Sequence, residues 1–472
     1  ERGISISSTV LHFAFGPWRF NLLDTPGHAD FSEDTYRTLW AADAAIMVID
    51  VAKGLEPQTL KLFRVCRDRG IPIVTFVNKC DRPGLPPLAI LDEISAEIGM
   101  EPVPMVWPVA DGPEFAGVVD RLSEEFVAFG RSAHGSKQAE ETRTPLDKVQ
   151  RAEVAPQTPQ LRWDTALEEL ELLDIEERAL DRAAFLAGKQ TPVFFGSALA
   201  NFGVRQLLEG FANLAPSPGP QAVAEPEGAP ARDVTAPFSA LVFKIQANMD
   251  PRHRDRVAFL RVQSGRFARG MTAVHARTGR PYALKYAHQL FAQDRETVDD
   301  AVAGDVVGVV NATDLLVGDT LYAEDKVVFP PIPTFAPELF VGARNRDTSR
   351  YKQFRRGLAQ LDEEGVVHVL QRPEYGEQEP LLAGVGQLQF EVAEHRMREE
   401  FGAQIALTPA PWQLARLLVD GDAAKLRGQR GTLVVVDSKG RTLALFNSEH
   451  ALTWAMQDHQ DLVFGELGMT RS

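Results

Sequence analysis

Three short stretches hold the residue types that phosphate and base chemistry need, and each lies at the end of an apolar run. "FNLLDTPGH" supplies Asp24, Thr25, Pro26, Gly27 and His28. "IPIVTFVNKCD" ends in Asn78, Lys79, Cys80 and Asp81, and "TPVFFGSAL" ends in Ser197, Ala198 and Leu199. An acid at a strand tip can hold a magnesium ion through water. A glycine N–H in the next turn can bond a terminal phosphate oxygen, because no side chain keeps the backbone away. A histidine beside that glycine can orient an attacking water. The Asp81 carboxylate can accept from both the N1–H and the exocyclic amine of guanine, a donor pair that adenine lacks. The Lys79 stem can cover the purine face, and backbone N–H groups of Ser197–Leu199 can meet the guanine carbonyl. Singly, each stretch has a plainer reading: Asp24 and Asp81 as turn or capping residues, His28 as a helix cap. Three of them in this order, each at a strand end, point to a guanine nucleotide.

Such residues need a frame. Up to about residue 213, apolar runs ("RFNLLD", "AAIMVID", "IPIVTFVN", "VPMVWPV", "TPVFFGSA") alternate with stretches of helical periodicity. That pattern predicts a doubly wound parallel sheet, whose ligands sit at the carboxyl ends of the strands. Residues 130–160 are polar and read as a surface insertion. The stretch 213–237 holds six prolines and reads as a stiff linker. Residues 238–328 carry short strands punctuated by Gly and Asp, as in a small β-barrel. From 329 the order strand, helix, two strands, helix, strand predicts a split βαββαβ unit. The last 60 or so residues read only as mixed α/β. The expected domains are therefore 1–213, a linker at 214–237, a barrel at 238–328 and an α+β domain at 329–472.

Composition sets bounds. The chain has 472 residues, is 44% hydrophobic and carries a net charge of −15. Phosphate repels an acidic protein, so DNA is not an expected partner. The longest apolar stretch is broken by Asp43 and Asp50, so no membrane span is expected. The two cysteines, Cys66 and Cys80, suit a reducing cytosol and give no disulfide framework.

"ERGIS", then "DTPGH" 19 positions after Ser5, then "NKCD" and "SAL", resembles the translational GTPases. The resemblance implies GTP or GDP and Mg²⁺ as ligands. It implies that Ser5, usually Thr in the family, holds Mg²⁺, with Asp24 doing so through water. Ile4 matches an apolar gate beside the catalytic histidine, and His28 matches that histidine. "DFSEDTYRTL", "FLAGKQTPVFFGSALANFGV", "FKIQANMDPRHRDRVAFLRVQSG", "FAPELF" and "LAGVGQLQFEV" are similar to the bacterial class II release-factor GTPases over nearly the whole chain. The resemblance then implies the ribosome and class I release factors as partners, release-factor departure after peptide release as the task, and a cytoplasmic monomer.

The family's phosphate cradle, G-x-x-x-x-G-K-[ST], does not occur in the sequence, and the family places it with a strand and helix ahead of Glu1. The expectation is that these 472 residues alone bind GTP poorly. Two basic stretches remain. "DPRHRDR" offers Arg252, Arg254 and Arg256 to ribosomal RNA or protein, or is a solvated loop with internal Asp–Arg pairs. "RNRDTSRYKQFRR" offers Arg344, Arg346, Arg350, Lys352, Arg355 and Arg356. The alternatives are a translocase like elongation factor G, a ribosomal protection protein, or a non-catalytic fragment that keeps only ribosome-binding surfaces.

Overall fold

The computed structural model describes residues 8–27, 32–130, 140–175, 179–247, 256–285, 287–291, 294–332, 336–373 and 376–467. The chain divides into two compact units: residues 14–19 with 42–218, and residues 1–13, 20–41 and 219–472.

The first unit is built on a parallel sheet of four strands in the order Ala45–Asp50, Ile73–Asn78, Gln190–Phe195, Glu101–Pro104. "IVTFVN" is buried up to Val77, as both-face coverage by helices demands, and emerges only at Asn78. Thr75 and Thr191 satisfy each other inside the sheet at 2.9 Å. Pro87 opens the Pro87–Ile98 helix and Gly99, at φ 71°, ends it.

Two parts of this unit differ from the sequence pattern. "VPMVWPV" is two strands, and the second, Val106–Val109, leaves the parallel sheet. It begins an antiparallel sheet with Gly117–Asp120, Glu125–Phe129 and Glu141–Pro145. The insertion thus starts well before residue 130 and has its own core. Phe126 meets Trp163 of the Gln160–Ile175 helix at 5.0 Å, and Trp107 meets Phe195 at 5.5 Å. A hydrophobic run alone cannot say which sheet a strand joins.

The second difference concerns "RFNLLD". The Trp18–Asp24 strand pairs with Thr9–Phe15 in a two-stranded sheet and does not join the parallel four. In the second unit Val10 and Leu23 pack instead with Leu241, Phe243 and Phe259.

The barrel-like domain centres on the long antiparallel pair Ser239–Ala247 and Arg256–Ser264, within an eight-stranded sheet. Its core holds Val242, Leu260, Val262, Phe267 and Leu321. The C-terminal domain has the expected βαββαβ order. Strands Ile405–Pro409, Leu339–Asn345, Gly376–Gly384 and His368–Arg372 lie side by side under the Tyr351–Glu364 and Gln387–Glu399 helices. The last 60 or so residues extend that same sheet: Thr432–Asp437 pairs with His368–Arg372, then Thr442–Phe446, Leu414–Asp420 and Val463–Glu466 follow. Among the described residues no helix is long and apolar enough to cross a membrane.

Candidate functional site

The candidate guanine-reading loops lie within the parallel-sheet unit. Asn78 leaves its strand half-buried, and its Oδ1 accepts two backbone N–H groups: Lys79 at 2.8 Å and Ala198 at 2.9 Å. One side chain thereby ties the Asn78–Asp81 loop to the Ser197–Leu199 loop. Backbone bonds close the join, with Cys80 N–H to Gly196 O and Gly196 N–H to Val77 O, both 3.0 Å. Gly196 is required there, because a Cβ would lie 2.2 Å from Phe202 O. Ser197 and Phe202 exchange backbone bonds at 2.9 Å, and the ring of Phe202 stacks on Phe129 of the insertion at 5.0 Å.

Lys79 adopts φ 70°, a left-handed conformation unusual for a residue with a Cβ. Its Nζ donates to Asp50 Oδ2 at 2.6 Å, at the tip of the neighbouring strand. Burial works to raise the Asp50 carboxyl, but the bonds from Lys79 and from Ala52 N–H hold it below its ordinary range. The lysine head is thus anchored, while its side chain stays 44% exposed and keeps a face open.

The sequence pattern treats all four residues of "NKCD" alike, and the structure separates them. Cys80 is buried and its Sγ donates to Val77 O, so its side chain is a core group and not a ligand contact. Burial pushes this thiol up to about 12. Asp81 is half-buried, and its carboxylate takes no hydrogen bond or ion pair among the described residues. Likewise Ala198 N–H is spent on Asn78 and Ala200 N–H on Ser197 Oγ, whereas Leu199 N–H has no partner among the described residues. A cavity of about 120 Å³ behind the loop, lined by Cys80, Leu85, Asp111, Glu169 and Phe195, is too small for a nucleotide. The open face of the loops is what a base can use.

The candidate phosphate turn, described from Asp24 to Gly27, lies within the second unit. Asp24 is exposed at the end of its strand. Pro26 is buried, and its carbonyl accepts from Thr35 Oγ1 at 3.0 Å, which ties the turn to the Ser32–Leu39 helix. Gly27 has neither a left-handed φ nor any atom within 4 Å of a hypothetical Cβ. Among the described residues nothing demands glycine there. Ile4, Ser5 and His28 lie outside the described residues.

Among the basic residues, Arg256 is consumed internally. Its guanidinium donates to Thr313 O and Leu315 O and meets Glu363 at 3.3 Å, so it is held within the fold by partners outside its own loop. Arg252 and Arg254 lie outside the described residues. Arg344 pairs with Glu379 at 2.6 Å but remains 71% exposed. Arg346, Arg350, Lys352, Arg355 and Arg356 are exposed around the start of the Tyr351–Glu364 helix. Cations at a helix N-terminus oppose its dipole, so local stability does not explain them. Sequence reasoning missed Asp50 and Phe202, whose roles depend on pairing across strands and on packing; the acid at the end of "AAIMVID" was the only available signal for the first.

Comparison with known proteins places the three parts of the chain in families. The elongation factor Tu GTP-binding domain family matches residues 1–217, elongation factor G domain 2 matches 237–324, and the class II release factor RF3 C-terminal domain matches 329–456. Peptide chain release factor 3 of Trichormus variabilis is 47% identical over 467 residues, covering 98% of this chain and 85% of its own length. That of Symbiobacterium thermophilum is 45% identical over 474 residues, covering 100% and 88%. A crystal structure of a Thermus thermophilus protein superposes with a TM-score of 0.67 over 93% of this chain and 64% of its own length, at 24% identity, and shows the fold alone. The chain belongs to the peptide chain release factor 3 family, the class II release-factor GTPases of translation termination.

Proposed function

We propose that the Asn78–Asp81 and Ser197–Leu199 loops read guanine and that the Asp24–His28 turn serves the terminal phosphate. The observation that carries this is the unspent Asp81 carboxylate in loops whose other polar groups are largely paired. Asp81 accepts from the two guanine donors, Leu199 N–H donates to the guanine carbonyl, and the Lys79 stem covers the ring. Asn78 acts by holding the two loops together. Thr25 and Pro26 shape the turn, and Gly27 N–H donates to the γ-phosphate. His28 orients the attacking water beside Ile4. Asp24, through water, and Ser5, through its oxygen, are the residues suited to hold Mg²⁺, which supplies charge neutralisation on the phosphates.

In this reading residues 1–213 form the GTP-binding domain, 238–328 the barrel and 329–472 the C-terminal domain, joined through 214–237. The protein acts as a single chain on cytoplasmic ribosomes and speeds departure of class I release factors after peptide release. The cations of 344–356 face ribosomal RNA. The test uses a cradle-bearing protein, made by joining a relative's strand, cradle and helix ahead of Glu1. It should accelerate GTP-dependent dissociation of a fluorescent class I release factor from post-release ribosomes and should leave the toeprint of the messenger RNA in place. A toeprint shift without release-factor dissociation would contradict the reading and favour a translocase.

A further inference from the structure

Glu33, in the first turn of the Ser32–Leu39 helix, is 1% exposed. A carboxylate is not tolerated at such a depth without partners. Here each oxygen has one: Arg37 Nη2 donates to Oε1, and His368 Nε2 lies 3.1 Å from Oε2. His368 belongs to the C-terminal domain, in the His368–Arg372 strand. Arg37 reaches the same domain, donating to Glu364 O at 3.3 Å. Gly365 leaves room for that guanidinium, since a Cβ at residue 365 would clash with Arg37 Nη1. Glu364 is held in turn by Arg396 at 2.6 Å. On the barrel side, Lys244 Nζ donates to Ser8 Oγ at 2.7 Å and meets Asp34 at 3.4 Å. The helix also carries Thr35, whose hydroxyl bonds Pro26 O. A continuous set of contacts therefore runs from His368 through Glu33 and the helix to Pro26, beside Asp24.

We propose that His368, acting through Glu33 and Arg37, is a positioning residue for GTP hydrolysis that fixes the helix behind the phosphate turn. The proposal rests on the reading of Asp24–His28 as the phosphate end. The charges around His368 are Glu33 and Arg37 from the Ser32–Leu39 helix and Asp362 from the Tyr351–Glu364 helix, with Asp437 and Lys439 close to Asp362. Burial disfavours a charged ring, but Glu33 and then Asp362 outweigh it, against Arg37, and keep His368 protonated above its ordinary range. The clamp is therefore ionic and weakens as pH rises through the His368 value.

The test replaces His368 by Gln, which removes the charge at similar size. In the cradle-bearing protein on ribosomes, His368→Gln should lower kcat for GTP hydrolysis about 10-fold, with KM and GTP affinity unchanged, and should abolish the wild-type loss of kcat at alkaline pH. Glu33→Gln should behave alike, and the double variant should be no worse than either single one. In the 472-residue chain itself, His368→Gln should speed amide exchange over 32–39 about 10-fold and leave 73–78 unchanged. Unchanged kcat and pH profile, even with a lower Tm, would overturn the proposal, since a merely structural contact gives that result. If His28→Ala and Gly27→Ala also leave hydrolysis intact while exchange over 32–39 responds to His368→Gln, the phosphate reading fails and the clamp stands without its catalytic role.

Discussion

At Asn78 one amide oxygen gathers two backbone N–H groups, whereas at Glu33 one carboxylate gathers an arginine and a histidine. Both side chains join segments distant in sequence: 78 to 198 in one case, 33 to 368 in the other. The Asn78–Asp81 and Ser197–Leu199 loops are held mainly by neutral bonds, by a glycine that lets two backbones touch, and by one ion pair, Lys79–Asp50. Asp50 is held below its ordinary range, so this frame keeps its charges between pH 6 and 9, as suits the proposed reading of one base in every nucleotide state. The helix behind the phosphate turn is held by buried charges drawn from two further domains. Buried ion pairs contribute little net stability, yet removing one partner strands the other and is strongly destabilising.

The contrast can be broken at either end. The largest effect is expected at Asp81. In the cradle-bearing protein, Asp81→Asn should lose roughly 2–4 kcal/mol of GTP affinity, about 30- to 1,000-fold, and should gain preference for xanthosine triphosphate. Calorimetry with both nucleotides measures this, and an unchanged ratio would remove Asp81 from the base site. Next comes His28→Ala, which should leave nucleotide affinity near wild type and cut ribosome-stimulated hydrolysis by about 10²-fold. Normal turnover in that variant would leave His28 a capping role. The smallest effect is expected from the exposed cations. Reversing Arg346, Arg350 and Arg356 to Glu should weaken ribosome binding and flatten its salt dependence, by roughly one unit of slope per lost phosphate contact. An unchanged slope would assign them to solvent.

Much of the site was legible because its residues are local. Asn78, Asp81 and Ser197 announce themselves at strand ends, and the barrel and βαββαβ unit follow from turn spacing and periodicity. Four things were not legible. Whether Cys80 faces a ligand or the core depends on which way the loop turns after the left-handed Lys79. Whether "VPMVWPV" is one strand or two depends on which neighbour offers the better ladder. Glu33 and His368 lie 335 positions apart in otherwise ordinary amphipathic patterns, and no periodicity marks a buried pair. The hairpin formed by Trp18–Asp24 belongs to the same class: alternation shows a strand but not its partner.

The contrast between a frame that keeps its charges and a clamp that titrates is tested most directly by amide exchange in the wild-type chain between pH 6 and 9, corrected for the intrinsic rate. The sign follows from the charges. His368 is raised, so its contribution is complete below about 6.5 and is lost as pH rises through the folded value. Glu33 has burial working to raise its carboxyl, but Arg37 and His368 outweigh this and hold it down to about 2, so it stays ionised across the whole window. The account predicts that protection over 32–39 falls with rising pH while protection over 196–202 stays flat. Equal loss in both segments, or no loss in either, would contradict it.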